Sequence, residues 1–371
     1  MKNSPSVLII GTNMMNVYNH RLELITTLLK NGYSVNVAAP YGVESEALIK
    51  LGVCFYDIDV ENRGTNIKAD LNLITTLYKL IKRIKPNVVL TFYTKTNIYG
   101  GIAARLAGVP YIENITGLGS ALSGSGRIQK LMKSLYKYAV EKAEIVFFQN
   151  KSNLKFFQEN RLWKGRYELL PGSGVNLERF KPLPYPQLEV TNLLFISRIL
   201  KEKGIDEILE AARVMKKNND RVSFHVVGPC EPKYDTIVKK AHIEGLIHYY
   251  GKVEDTTSFL QDCHCFVYPS YYAEGMANVL LEAAASGRPL ITTNLPGCGE
   301  TVENDKTGFI VKERDSKSLI SAIKRFISLT PSEKQKMGEE GRHKMENEFN
   351  RQIVVDAYLK EINHIVKENK K

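Results

Sequence analysis

Residues Tyr268 to Glu303, YPSYYAEGMANVLLEAAASGRPLITTNLPGCGETVE, decide the fold. Met276 to Ala285 is rich in Ala and Leu, Gly287 is a natural C-terminal cap and Pro289 prevents continuation, which predicts a helix there. Cys265–Tyr268 before it and Leu290–Thr293 after it read as short strands. Strand, helix and strand at this spacing form one unit of a parallel sheet. Two acids mark the stretch. Glu274 lies in a loop-like YYAEG segment, and Glu282 follows eight positions later inside the apolar run Val279–Ala285. Burying a carboxylate without a partner costs several kcal/mol, so Glu282 is expected to meet a group rich in hydroxyl or amide donors.

The same beat extends along the chain. Strands are predicted at Val7–Ile10, Ser34–Ala39, Val53–Ile58, Val88–Phe92, Pro110–Ile115 and Ile145–Gln149, alternating with helices over 17–30, 69–84, 97–107 and 127–141. Phe180–Pro186 then brings three prolines in five residues, too many for a helix or a central strand, and reads as a semi-rigid linker. A second series follows: Leu193–Ile196, helix 204–217, Val222–Val227, helix 233–243, Ile247–Gly251 and the quoted stretch. The fold class is α/β, with two doubly wound Rossmann-like domains, 1–181 and 182–350, facing across a cleft. The periodic helix within 351–371 is expected to cross back to the first domain.

Composition narrows the function. The chain has 371 residues, 25% charged and 43% hydrophobic, as in soluble globular proteins with room for two cores. No apolar run reaches transmembrane length. Val7–Ile10, at the end of MKNSPSVLII, reads as a strand and not a signal peptide. Five scattered cysteines fit a reducing cytosol, and Cys263-His264-Cys265 lacks a second ligand pair at zinc-like spacing. The net charge of +11 belongs entirely to residues 1–185, which carry 24 Lys and Arg against 13 Asp and Glu. A basic half suits nucleic acid, an anionic membrane or a phosphorylated substrate. Asp57 and Asp59 alternate on a strand, which sends them to opposite faces and disfavours a shared metal.

Unusual loops fall where strands end: Gly11-Thr12-Asn13, Tyr93 to Asn97 with Lys95, and Asn114 to Ser120 with Thr116 and Gly117. None carries the G-x-G-x-x-G fingerprint, which disfavours a nicotinamide enzyme. His20-Arg21 on the first helix is either a hydrogen-bonded pair or a holder of substrate phosphate. On the helix from Arg127, a wheel puts Ile128, Leu131, Met132, Leu135, Tyr138 and Ala139 on one side and Lys130, Lys133 and Lys137 on the other. That lysine face is either solvated or set against anionic lipid head groups, and Ser123-Gly124-Ser125-Gly126 before it would permit movement.

Ser197-Arg198 and Lys203-Gly204 follow the first strand of the second domain and open a helix. Two cations beside a helix N-terminus make an anion site. With Glu274-Gly275, Glu282, Pro269-Ser270, Gly287-x-Pro289, Pro296-Gly297, Glu300 and Thr307-Gly308, this domain resembles family four of the retaining glycosyltransferases with the GT-B fold. Thr116 to Gly119 and Ile98-Tyr99-Gly100 resemble the branch that builds capsule, O-antigen and glycoprotein glycans on lipid carriers. A histidine often found in the first domain of wider family members is absent from Asn114–Gly119.

The resemblance implies a nucleotide-diphosphate sugar donor, UDP-linked, held by Gly11, Thr12, Ser197, Arg198, Lys203, Gly228, Gly251, the segment Glu274, Gly275, Met276, Ala277, Asn278, Val279, and Glu282. Arg198 and Lys203 would neutralise the departing diphosphate, Glu274 would address the sugar, and Glu282 the ribose hydroxyls. Backbone N–H groups of Gly275 to Asn278 would face the sugar and diphosphate. No metal and no cofactor is expected. The acceptor, a polyprenyl-diphosphate-linked saccharide, would meet Arg21, Lys95, Thr116 and Gly117, with Lys130, Lys133 and Lys137 against an anionic membrane. The expected place is cytoplasmic, peripheral on the inner face of the cell membrane. Rival readings are a nucleotide-sugar 2-epimerase of similar fold, a non-enzymatic sugar-binding module and a nucleic-acid-binding protein, the last without any basic and aromatic platform.

Overall fold

The computed structural model describes residues 4–61, 66–118, 122, 126–272 and 274–368; Gly119, Ser120 and Ser123–Ser125 lie outside the described residues. The chain divides into two units, Met1–Ser173 with Arg351–Lys371, and Gly174–Asn350.

The first unit is built on seven parallel strands: β1 Ser6–Ile10, β2 Ser34–Ala39, β3 Cys54–Asp57, β4 Val88–Phe92, β5 Tyr111–Ile115, β6 Ile145–Phe148 and β7 Tyr167–Leu169. Their order is β3-β2-β1-β4-β5-β6-β7. Val7 to Ile10 are fully buried because helices cover both faces of such a sheet. Alternation sorts them: Val7 and Ile9 pack with Leu24, Leu28 and Tyr358, while Leu8 and Ile10 pack with Leu77, Ile98 and Tyr136. Tyr358 lies on the helix Arg351–Glu368, whose Val354, Tyr358, Ile362 and Ile365 recur at helical spacing and fill the first unit's core.

The second unit has six parallel strands: β8 Thr191–Ile196, β9 Val222–Val227, β10 His248–Tyr249, β11 Cys265–Tyr268, β12 Leu290–Thr293 and β13 Gly308–Val311. They run in the order β10-β9-β8-β11-β12-β13. The strand order reverses between β1 and β4 in one sheet and between β8 and β11 in the other, and ligands bind beyond the carboxyl ends at such points.

Four expectations change. The unit boundary lies at Ser173, not near residue 181, because Val175 and Phe180 are buried in the second core and the Val175 N–H donates to the Phe349 carbonyl at 2.8 Å. The predicted loop Tyr93–Asn97 is mostly helix, which starts at Thr94 with Tyr93 as its cap. The helix predicted over 276–285 begins only at Asn278. On the helix Arg127–Val140, Met132, Tyr136, Ala139 and Val140 enter the core, but Ile128 and Leu131 remain 56% and 53% exposed, so its apolar band is wider than the core consumes.

Candidate functional site

In the second unit, β8 and β11 end side by side at the reversal point. The loop after β8 carries Ser197, Arg198 and Lys203, and the loop after β11 carries Glu274. Backbone contacts pin the two together. The Tyr271 N–H donates to the Glu202 carbonyl at 2.8 Å, and the Ser270 hydroxyl donates to the same oxygen at 3.3 Å. Gly204 ends the turn Lys201–Lys203 at φ 85°, and a Cβ there would stand 2.5 Å from the Pro269 carbonyl oxygen. Only glycine fits both the angle and the gap.

This closeness places Lys203. Its side chain is buried, and its ammonium donates to the Tyr268 phenol oxygen at 2.7 Å and is in contact with Glu274 Oε1. The Tyr268 hydroxyl donates to the same Oε1 at 3.1 Å. Burial is the main force on the ammonium and lowers its pKa to about 8, with Cys298 opposing and Arg198 adding to the fall. The Glu274 carboxylate, touching the ammonium, works to keep it charged. Arg198 is exposed, and its guanidinium lies 5.9 Å from the Tyr272 ring centre, while the Lys203 ammonium lies 4.7 Å from the same ring. Two cations thus flank one aromatic ring beyond a strand end, an arrangement suited to an incoming anion.

The remaining second-unit candidates divide into scaffold and lining. Gly228 at φ 136° follows β9, where a Cβ would collide with the Ser197 carbonyl, and its N–H donates to the Gly251 carbonyl at 2.7 Å. Gly251, at φ 67°, closes the turn after β10. Ser197 is held by its own N–H on the Val227 carbonyl at 3.0 Å. Gly275, Met276 and Ala277 are buried beside Gly297, where a Cβ would sit 2.8 Å from the Gly275 carbonyl. The Ala277 N–H donates to the Gly297 carbonyl at 2.8 Å, so it is occupied and does not face a ligand as expected. Asn278 opens the helix with its Oδ1 buried and without a hydrogen-bond partner among the described residues. Val279 and Glu282 are half-buried, whereas Leu280, Leu281 and Ala283–Ala285 form the buried face. Glu282, in the apolar run Val279–Ala285, thus keeps a partly open side, while its helix neighbours Leu281 and Ala283 are buried.

In the first unit, Gly11 leaves β1 where a Cβ would collide with Val17, and Thr12 beside it is half-buried. Arg21 is 3% exposed and lies over the Phe92 ring at 4.1 Å. Lys95 is paired with Asp70 at 3.2 Å, and the Tyr99 hydroxyl donates to the same carboxylate at 2.7 Å. The Thr94 hydroxyl donates to the Gly117 carbonyl at 3.4 Å, which holds Thr116 and Gly117 against the helix that follows β4. Lys130 and Lys137 are exposed, but Lys133 donates to Asn160 Oδ1 at 2.7 Å and sits over Phe156, so it leaves the proposed lysine face. Asp57 accepts the Tyr41 N–H at 2.9 Å, and His264 Nδ1 accepts the Asn192 N–H at 3.0 Å.

Sequence reasoning missed Tyr268 and Tyr272 as parts of the site. Their signal was available: Tyr268 is the last residue of the strand at the reversal point, and Tyr272 sits in the loop leaving it.

Residues 186–344 match the family model described as glycosyl transferases group 1, and residues 7–150 match the model described as glycosyl transferase 4-like. The chain is 26% identical, over 95% of its length and 96% of the relative's, to the N,N'-diacetylbacillosaminyl-diphospho-undecaprenol alpha-1,3-N-acetylgalactosaminyltransferase of Campylobacter jejuni. It is 29% identical, over 78% of each chain, to the UDP-Gal:alpha-D-GlcNAc-diphosphoundecaprenol alpha-1,3-galactosyltransferase of Escherichia coli. In fold it resembles a glycosyltransferase from Rickettsia africae, with a TM-score of 0.81 at 19% identity over 98% of this chain and 99% of that one. Two parallel α/β units, each matched by its own glycosyl transferase model, place the chain among the family four glycosyltransferases of GT-B architecture, and it is an enzyme of that class.

Proposed function

We propose that the enzyme moves a sugar from a UDP-sugar to a polyprenyl-diphosphate-linked saccharide, with retention of configuration and without a metal, during surface polysaccharide or glycan assembly. The observation that carries this reading is the buried Lys203 ammonium, set with Arg198 around Tyr272 at the reversal point of the second sheet. When the donor's bond between the anomeric carbon and the phosphate oxygen breaks, its electron pair stays on the diphosphate. Arg198 and Lys203 stand where that charge develops, and losing one such stabiliser typically costs ~10²–10³ in rate. The acceptor hydroxyl attacks the same face, and its proton passes to the departing phosphate oxygen. Glu274 addresses the sugar and Glu282 the ribose hydroxyls.

Support for the substrates comes from the relatives. Both are named for diphospho-undecaprenol-linked acceptors, one transfers an N-acetylgalactosaminyl group, and the other is named for UDP-galactose. An N-acetylhexosamine is the donor sugar we favour. The charge of the first 185 residues suits an anionic, membrane-held acceptor. The exposed Ile128 and Leu131, with Lys130 and Lys137, suit a bilayer with anionic head groups on the cytoplasmic side. No helix among the described residues is long and apolar enough to cross a membrane.

The test is a transfer assay with labelled UDP-N-acetylhexosamines and UDP-galactose, an undecaprenyl-diphosphate-linked N-acetylhexosamine as acceptor, and a chelator present throughout. Lipid-extractable product with the donor's anomeric configuration is expected. Inversion, loss of activity on chelation, or epimerised donor without acceptor would each overturn the corresponding part.

A further inference from the structure

The first unit holds a buried cation that makes no ion pair among the described residues. Arg21, on the helix Met14–Lys30, is 3% exposed. Its Nη1 donates to the His20 carbonyl at 3.1 Å and to the Ser173 hydroxyl at 3.3 Å, both neutral acceptors. Its Nε and Nη2 have no hydrogen-bond partner among the described residues. Glu23 is engaged by Arg351, whose Nη1 lies 2.9 Å from both carboxylate oxygens. One face of the guanidinium rests on Phe92, which packs on Tyr358 at 5.8 Å, and Tyr358 on Phe147 at 4.7 Å. This stack fixes the plane of the fork but leaves its Nε–Nη2 edge unanswered. Buried N–H groups and buried charges are ordinarily paired.

Two independent features coincide with it. Phe92 is the last residue of β4, at the reversal point of the first sheet, where open α/β sheets bind ligands. The next residue, Tyr93, has φ 73° and ψ 154°, a region that only glycine enters without strain, and such strain gathers at ligand sites. His20 adds a ring nitrogen, Nδ1, that is buried without a partner among the described residues. Its ring is held neutral, with a pKa of about 3, by burial first and then by Arg21 and Arg351.

We infer that Arg21, at the carboxyl end of β4, with the adjacent His20 on the same helix, forms a second oxyanion subsite that takes a phosphate or diphosphate group of a substrate. The inference rests on the reading of the enzyme as a transferase between two diphosphate-bearing substrates. The acceptor's diphosphate and the donor's are the two sources. A planar guanidinium with its two-donor Nε–Nη2 edge open matches the paired oxygens of either.

Calorimetry on the full chain, without turnover, tests it with three probes: inorganic pyrophosphate, UDP and farnesyl diphosphate. They are titrated into the wild type, Arg21→Met, Arg21→Lys and the double variant Arg198→Ala/Lys203→Ala. Farnesyl diphosphate is expected to bind the wild type and the double variant alike and at least tenfold more weakly in Arg21→Met, pyrophosphate is expected to lose one of two sites in each of those variants, and UDP is lost only in the double variant. Arg21→Lys keeps the charge but not the fork, so it guards against a fold defect in Arg21→Met; a weakened farnesyl diphosphate Kd with an unshifted melting curve supports the subsite. If UDP instead weakens in the Arg21 variants and farnesyl diphosphate does not, the group held is the donor's. Unchanged binding of all three probes in both Arg21 variants overturns the subsite, whatever the transfer assay gives.

Discussion

The Lys203 ammonium and the Glu274 carboxylate touch at the carboxyl end of the second sheet, with the Tyr268 hydroxyl donating to the same carboxylate oxygen. The two residues are 71 positions apart in the chain. The pair gives the buried cation a resting partner before any anionic substrate arrives. Under the proposed function, substrate binding would be an exchange of partners, in which a diphosphate takes over the cation and Glu274 turns to the sugar.

Lys203→Ala and Glu274→Ala should each lower kcat by ~10²–10³, the scale of losing one stabiliser of developing charge. Each should also destabilise the fold by about 2 kcal/mol, because a charged partner is left behind in a partly closed place. The double variant should recover part of that stability and none of the activity. A denaturant double-mutant cycle checks the stability, and single-turnover transfer checks the chemistry.

That site was only partly legible in the sequence. Arg198, Lys203, Glu274 and Glu282 could be placed because each follows a strand or lies in a helix with clear caps. The alternation of strands and helices was equally plain, since Val7–Ile10 or Cys265–Tyr268 is a continuous apolar run that two-sided burial demands. β7, Tyr167–Leu169, was not legible: it is three residues long and its ends are exposed. The start of the helix at Thr94 was hidden because its cap, Tyr93, adopts a backbone angle that no propensity assigns to tyrosine. The Ala277–Gly297 bond is non-local, so nothing near Ala277 announced that its N–H was occupied.

Donor binding should weaken at alkaline pH. Burial lowers the Lys203 ammonium to about 8, so raising the pH through that value removes the charge that meets the diphosphate. The KM for UDP-sugar is expected to rise about tenfold for each pH unit above 8. In Glu274→Gln the carboxylate that helps keep the ammonium charged is gone, so the alkaline limb should move to lower pH. Stability has the opposite slope. The unfolded chain holds this proton more tightly than the folded one, so the residue's contribution to stability rises with pH above about 8.

Gly204→Ala should damage the site without touching a charged group. The added Cβ meets the Pro269 carbonyl oxygen at 2.5 Å, and the φ of 85° is strained for alanine. A cost of roughly 1–3 kcal/mol is expected, together with a higher KM for the donor, because Lys203 precedes the glycine directly. Thermal unfolding and donor titration check the two effects. Wild-type values for both would show that the loops after β8 and β11 do not depend on this close approach.

The helix Arg127–Val140 should control membrane attachment. Ile128 and Leu131 are more than half exposed, and Lys130 and Lys137 are exposed on the same helix. Replacing Ile128 and Leu131 together by Glu should abolish sedimentation with vesicles containing anionic lipid. Lys130→Ala and Lys137→Ala should each weaken it about fivefold, from ~1 kcal/mol per cation near the surface. Lys133→Ala should have a smaller effect, since its ammonium is engaged with Asn160. Equal losses for all three lysines would mean that net charge, and not this helix face, is what the membrane reads.

Glu113 on β5 should make the first unit lose stability as pH rises. Its carboxyl group is fully buried, neither oxygen has a hydrogen-bond partner among the described residues, and burial pushes its pKa well above the ordinary carboxylate value. The folded state keeps a proton that the unfolded chain releases. The group's contribution is therefore fully present below the unfolded pKa and is lost as pH climbs toward the folded one. Glu113→Gln carries no such proton and nearly the same shape, so it should remove this slope and raise the unfolding midpoint at neutral pH by several degrees. Gly101 stands against the same side chain, where a Cβ would collide with Oε1, so Gly101→Ala should destabilise the wild type and the Glu113→Gln variant alike. Melting curves collected between pH 5 and about 8 decide it: parallel pH dependences for wild type and Glu113→Gln would mean that Glu113 is ionised in the fold.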